Sequence, residues 1–309
     1  RQRPNTGSKK GTGSKKGTGS KKGTGSKKGT GPLAYLPYAR MAMGTVCYKD
    51  QFMSTKAPQT QRVEFAGAFG DRLAARLEQP ATEARGFALF AHCFTCSKDL
   101  KAIWRISRAL SQEGIAVLRF DFTGLGESEG DFADTDFSSN IQDLLAAADF
   151  LRAEYQAPQL LIGHSLGGTA VLASAVQLEE VRAVATIAAP SDTEHLRELL
   201  AEKAPDLEKE ETTEIQLAGR PFRIKRQLLD DLAEHSVQST VGDLRRPLMI
   251  FHSPVDNTVG IEHARRLFEA AKHPKNFISL DDADHLLLNN EQDGHYVGHL
   301  IATWAKRYL

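Results

Sequence analysis

Residues 160–168 read Leu-Leu-Ile-Gly-His-Ser-Leu-Gly-Gly, an apolar run that stops at a serine with glycine two residues away on each side. The pattern is G-x-S-x-G, from Gly163 to Gly167, and its flanks narrow the fold more than any other stretch. A strand pattern precedes it, and a small-residue helical pattern over 166–178 follows. A sharp strand-to-helix turn of this kind lifts the serine hydroxyl above the carboxyl edge of a sheet and holds the serine backbone in strain. Side chains two residues before or after the serine would run into neighbouring backbone, which explains glycine at both places. The turn requires a buried strand, a following helix and a sheet edge, so the chain is expected to be α/β.

The remaining pattern agrees. Residues 62–68 and 72–78 read as an antiparallel pair turning at Gly70-Asp71, and apolar runs at 86–93, 115–122, 159–163, 181–189, 247–253 and 276–280 read as further strands. Helical spacing occupies 99–112, 139–155, 166–178, 261–272 and 295–308 between them. In the first of these, Leu100, Ile103, Trp104, Ile106 and Leu110 fall near one side. The expected architecture is a mostly parallel eight-stranded sheet flanked by helices. Residues 191–242 are far too long for an ordinary connection between two core strands. They read as a cap insertion, with Leu196, Leu199, Leu200 and Leu207 on a helical stripe and a hairpin turning at Ala218-Gly219.

A serine hydroxyl needs a base to take its proton and a carboxylate to orient that base. For this kind of turn the partners follow in the order serine, acid, histidine. Asp256 stands just after the apolar run at 247–253, and His285 just after the one at 276–280, so both belong to strand carboxyl ends. Ser165, Asp256 and His285 are the expected catalytic residues. Asp281, Asp282 and Asp284 crowd the loop of His285 and are alternatives to Asp256; His164, beside the serine, is expected to point away. The oxyanion of a tetrahedral intermediate needs fixed backbone donors. The Leu166 amide, at the start of the helix, is one candidate, and the Phe94 amide, in the His92-Cys93-Phe94 loop after the strand at 86–93, is the other.

Cys93 and Cys96 form a C-x-x-C, for which a redox role and simple packing are both open, with packed or merely adjacent thiols preferred. Two cysteines are too few for a zinc site. The three cysteines of the chain build no disulfide framework, which favours a reducing compartment. The glycines of 124–130 match neither nucleotide-binding spacing. Neither a metal nor a cofactor is expected.

Charge is divided unevenly. Residues 1–52 carry about +11 and residues 53–309 about −11, so the formal neutrality of the 309-residue chain is a cancellation. Residues 6–29 are four copies of Thr-Gly-Ser-Lys-Lys-Gly, with no apolar residue to offset the entropy of ordering them. This basic repeat segment is expected to be disordered, non-native upstream sequence, with a flexible solubilising linker or a basic arm for nucleic acid or acidic surfaces as the alternatives; Met53 is then the natural start of the folded domain over 53–309. Only the repeat offers a route to nucleic acid. No run of apolar residues is long enough to span a membrane, and a cytoplasmic location is expected.

The motifs resemble the α/β-hydrolase superfamily across nearly all of 62–309. The segment DFTGLGESEGDF at 121–132 looks like that family's D-x-x-G-x-G-x-S-x-G stretch. More narrowly, ALFAHCFTCSKD, VLRFDFTGLGESEGDF, FSSN and LLIGHSLGG are similar to the hydrolase half of bacterial proteins in which an α/β-hydrolase is fused to an OsmC-like domain. The resemblance implies an α/β-hydrolase fold and an OsmC-like protein as a candidate partner. Combined with the residues, it implies a cofactor-independent serine hydrolase acting on a small-molecule acyl ester or thioester. An amidase or aminopeptidase of the same fold, or a non-catalytic binding module, is the alternative.

Overall fold

The computed structural model describes residues 57–309 except 209, 218 and 236. The readings placed on residues 1–52, on Met53 and on Ala218 lie outside the described residues. The chain folds as β1 (Gln59–Ala66), β2 (Arg72–Gln79), β3 (Gly86–Ala91), α1 (Lys101–Gln112), β4 (Ile115–Phe120), α2 (Phe137–Glu154), β5 (Leu160–His164), α3 (Leu166–Ser174) and β6 (Ala183–Ile187). An inserted region follows: α4 (Glu194–Lys203), the hairpin β7 (Thr212–Leu217) and β8 (Arg220–Lys225), then α5 (Arg226–Glu234) and α6 (Val237–Asp243). The chain returns through β9 (Leu248–His252), α7 (Glu262–Ala270), β10 (Lys275–Ser279) and α8 (Glu291–Ala305).

Eight strands form one sheet in the order β1-β2-β4-β3-β5-β6-β9-β10. The β1–β2 and β2–β4 pairings are antiparallel and the others parallel. The central strands are apolar runs because both of their faces are covered. Within β5, Leu161 packs with α2 and α3 on one face, while Leu160 and Ile162 pack with α1 and α8 on the other, the two-residue period of a strand. From β3 the chain moves to β4 on one side, and from β5 it moves to β6 on the other. The gap between the carboxyl ends of β3 and β5 is therefore the topological switch point, where open α/β sheets place their ligands.

Boundaries shift where capping decides them. Helix α2 starts at Phe137, because Asp136 Oδ1 accepts from Ser139 N at 2.7 Å while Ser139 Oγ accepts from Asp136 N at 2.8 Å. Helix α1 buries Ala102, Ile103, Ile106 and Leu110, but Trp104 is 43% exposed. The expected stripe is wrong at that residue: the buried face extends from Ile103 toward Ala102, and Trp104 lies 100° round on the other side.

The inserted region shares the main core: Leu196, Leu200, Leu207, Ile215, Ile224, Leu228 and Leu232 are buried with residues of α2 and α3. Polar contacts fix it in place. Ser138 N and Oγ of α2 donate to the two oxygens of Asp231 at 2.9 and 2.5 Å, and within the region itself Thr193 Oγ1 donates to Leu232 O at 2.6 Å. Beneath the loop after β3, the buried Lys98 ammonium bonds Asp121 Oδ2 at 2.7 Å and Glu127 Oε2 at 2.8 Å. Lys98 and Arg76 hold the Glu127 carboxyl far below its ordinary range, at about 2. That network ties the 121–130 segment to the β3 loop.

Candidate active site

Strand β5 is buried along its whole length and delivers Ser165 at the switch point. Ser165 has φ 53° and ψ −127°, a backbone conformation that costs a non-glycine residue about 1–3 kcal/mol. Its neighbours hold it there: Ser165 N donates to Ile187 O at 2.8 Å, and Ser165 O accepts from Gly168 N at 2.8 Å. The flanking glycines are there for space. A Cβ on Gly163 would lie 2.3 Å from Gly167 O, and one on Gly167 would lie 2.4 Å from both Ala91 O and His92 O. The turn thus sits directly against the end of β3.

The three distant residues meet. His285, from the loop after β10, has Nδ1 2.7 Å from Asp256 Oδ2, and its Nε2 is 3.0 Å from Ser165 Oγ. A carboxylate only accepts, so Nδ1 carries the proton. In the neutral ring Nε2 is then the acceptor, and the serine hydroxyl donates to it. Asp256, from the loop after β9, is fixed through its other oxygen, which accepts from Thr258 N at 2.8 Å and Val259 N at 3.0 Å. Burial raises its carboxyl, but His285 and those two amides outweigh burial and leave it below the ordinary range. Asp256, rather than Asp281, Asp282 or Asp284, therefore touches the imidazole.

The two expected oxyanion donors flank the serine. Cys93 O accepts from His92 Nδ1 at 2.7 Å and from Cys96 N at 3.1 Å. Because a trans peptide is planar, the Phe94 N–H of the same unit points the opposite way. The Ser165 carbonyl, taken by Gly168 N, similarly directs the Leu166 N–H outward at the first turn of α3. Among the described residues neither N–H has a hydrogen-bond partner. Phe94, Leu166, Ser165 and His285 line one cavity of about 720 Å³, whose apolar wall includes Leu196, Leu199 and Leu217 of the inserted region together with Val255 and Val259.

Two features depart from expectation. His164 does not point away: its Nε2–H donates to the His285 carbonyl at 2.7 Å, and the two rings lie 5.1 Å apart. Burial, and then His285, push its pKa down to about 3, so the ring is neutral. Cys93 and Cys96 are joined in a disulfide rather than packed as thiols. The expectation of a reducing compartment rested on cysteines without a disulfide, and this bond removes that ground. The two sulfurs and a His164 ring nitrogen lie within 4.8 Å of one another. Sulfurs bonded to each other are not thiolates, so the disulfide state does not supply the donor set of a zinc site. Neither the bridge nor the His164 contact had a sequence signal beyond the C-x-x-C and the position next to the serine. Among the described residues no helix is long and apolar enough to cross a membrane.

Comparison with known proteins identifies the family. The crystal structure of the esterase domain from a Rhodothermus marinus protein is 51% identical, covers 81% of this chain and 99% of that chain, and superposes with a TM-score of 0.67. The uncharacterized protein YfhR of Escherichia coli (strain K12) is 22% identical over 262 residues, 82% of this chain and 84% of its own. Human palmitoyl-protein thioesterase ABHD10, mitochondrial, is 36% identical over 81 residues, 26% of each chain. The profile of the alpha/beta hydrolase family matches residues 88–297. That match spans the strands and loops that bring Ser165, Asp256 and His285 to one edge of the sheet, and the chain belongs to the alpha/beta hydrolase family.

Proposed function

We propose that the protein is a cofactor-independent serine hydrolase of acyl esters or thioesters, with Ser165 as nucleophile, His285 as general base and then acid, and Asp256 as the orienting carboxylate. The observation that carries this reading is the unbroken relay from Ser165 Oγ through His285 to Asp256, at 3.0 and 2.7 Å. Ser165 Oγ attacks the acyl carbon as its proton passes to His285 Nε2, and the buried Asp256 stabilises the imidazolium. The carbonyl oxygen becomes an oxyanion held by the Phe94 and Leu166 amides, where each donor contributes about 3–4 kcal/mol. His285 returns its proton to the leaving alcohol or thiol, and water activated by the same imidazole releases the acid from the acyl-enzyme. The apolar wall from the inserted region, which we assign as the cap at 191–242 of a hydrolase domain over 53–309, suits an aliphatic or aromatic acyl group.

The esterase domain of the Rhodothermus marinus protein supports an ester substrate, and the shorter match to a palmitoyl-protein thioesterase keeps thioesters in view. An OsmC-like protein is the partner we would test by co-purification. The direct test is labelling by a fluorophosphonate probe together with turnover of nitrophenyl esters and matched thioesters. Labelling and turnover are both expected to vanish in Ser165→Ala; a variant that keeps either one defeats the assignment.

A further inference from the structure

We propose that the Cys93–Cys96 disulfide is a reversible redox modification site that sets the oxyanion loop, supporting turnover when closed and suppressing it when opened by a dithiol. The inference rests on the reading of the site given above. Its first support is position. The bridge encloses only Phe94 and Thr95, and Cys93, Phe94 and Thr95 line the same cavity as Ser165. The covalent link therefore brackets the one residue of this loop whose amide is aimed at the oxyanion.

The second support is what else the loop holds. The Phe94 ring packs edge-on against Phe132 at 5.1 Å, Phe132 packs against Phe222 of β8 at 5.2 Å, and the Arg220 guanidinium donates to Thr95 O. The bridged loop is thus also a seat for the hairpin of the inserted region. A change in the loop reaches both the oxyanion donor and the wall of the acyl cavity.

The third support is a buried atom without a partner. Because His164 Nε2–H donates to the His285 carbonyl, His164 Nδ1 is a bare lone pair, and it is buried with no hydrogen bond. It belongs to the ring whose donor atom lies within 4.8 Å of both sulfurs. A disulfide has no proton to offer this nitrogen, whereas a thiol does. Opening the bridge places two thiols beside this ring, which holds the His285 carbonyl through Nε2.

A purely structural staple is a poor account of this bond. With a sequence separation of 3 it closes a loop too short to restrict the unfolded chain as a long-range crosslink does. The bond is also reachable, since Cys96 is half-buried and Cys93 borders the cavity. In the chemical step a thiolate of the dithiol attacks Cys96 Sγ, the S–S bond breaks, and Cys93 leaves as a thiolate that takes a proton. The second thiol of the reductant then attacks the mixed disulfide and releases Cys96 as a thiol. The reductant ends as a cyclic disulfide, having given two electrons and two protons to the protein.

The test uses the full chain with Cys47→Ser, so that only this pair responds. Oxidised protein and protein reduced with dithiothreitol, then desalted without air, are compared for kcat and KM on a nitrophenyl ester, with thiol alkylation and mass measurement fixing the state of each sample. Reduction is expected to lower kcat about 10-fold or more, toward the 10² seen for loss of one oxyanion donor, with KM changed about 3-fold at most. Reoxidation by glutathione disulfide should restore it. The Cys93→Ser, Cys96→Ser variant should be fixed at the low rate and indifferent to dithiothreitol, and the oxidised-against-reduced comparison of the Cys47→Ser protein stands whether or not that variant folds. Equal kcat in two samples shown by mass to differ at Cys93 and Cys96 overturns the inference. If turnover is equal but still depends on Ser165, this inference alone fails; if Ser165→Ala keeps turnover, the reading of the site fails and takes this one with it.

Discussion

Replacing Asp256 by asparagine tests the relay at the point where the structure dictates the outcome. Asp256 Oδ1 accepts from Thr258 N at 2.8 Å and Val259 N at 3.0 Å, so in Asp256→Asn the amide oxygen must take that side. The amide NH₂ then stands where Oδ2 was, 2.7 Å from His285 Nδ1, and two donors cannot face each other. Nδ1 therefore gives up its proton, which moves to Nε2 and points at Ser165 Oγ, 3.0 Å away. The imidazole is left in the tautomer that cannot accept from the serine, and it also loses the carboxylate that stabilises its charged form. The expected fall in kcat is about 10⁴-fold, equivalent to about 5.4 kcal/mol at about 1.36 kcal/mol per decade. Steady-state kinetics on a nitrophenyl ester measure it, with circular dichroism and a thermal melt confirming the fold. A folded Asp256→Asn enzyme that loses less than about 10-fold would refute the tautomer argument and with it the role assigned to Asp256.

Two further outcomes follow from the packing and the buried rings. Gly167→Ala puts a Cβ 2.4 Å from both Ala91 O and His92 O, backbone atoms that can yield only if the serine turn and the oxyanion loop separate. The variant should lose about 1–3 kcal/mol of stability and at least about 10² in kcat, and wild-type values in denaturant titration and kinetics would show that the turn has slack. Acid should destabilise the fold well above the carboxylate range. The folded pKa of His164 is near 3 against about 6.5 unfolded, so between those values the unfolded chain binds the extra proton and stability falls as pH drops. That ring alone contributes a loss of about 1.4 kcal/mol on going from about pH 7.5 to about 5.5. Burial also lowers His92, His252 and His263, which adds in the same direction. Urea midpoints at pH 7.5 and 5.5 check it, and equal midpoints would mean that these rings are not buried neutral.

What the sequence disclosed and what it withheld divide along a physical line. The serine turn was legible because its glycines answer to sterics within five residues, where a Cβ meets backbone 2.3–2.4 Å away. Asp256 and His285 were legible because each follows an apolar run, and parallel strands deliver all their carboxyl ends to one edge. The alternation of apolar runs and helical spacing likewise sufficed for the eight-stranded sheet. Trp104 was misplaced because helical periodicity gives an angle and not the width of the neighbour that covers it. Helices α5 and α6 were not read at all, and the seating of α5 depends on Ser138 and Asp231, 93 residues apart. His164 shows the same limit inside the candidate site. Its position beside the serine is fixed locally, but its work is done on a carbonyl 121 residues away, at a distance of 2.7 Å. A residue placed by a local rule and used through a distant contact has its location written in sequence and its role written only in the fold. The bridge between Cys93 and Cys96 is the converse case. The two cysteines lie three residues apart in sequence, and their surroundings, the cavity, the β8 hairpin and the His164 ring, are set only by the fold.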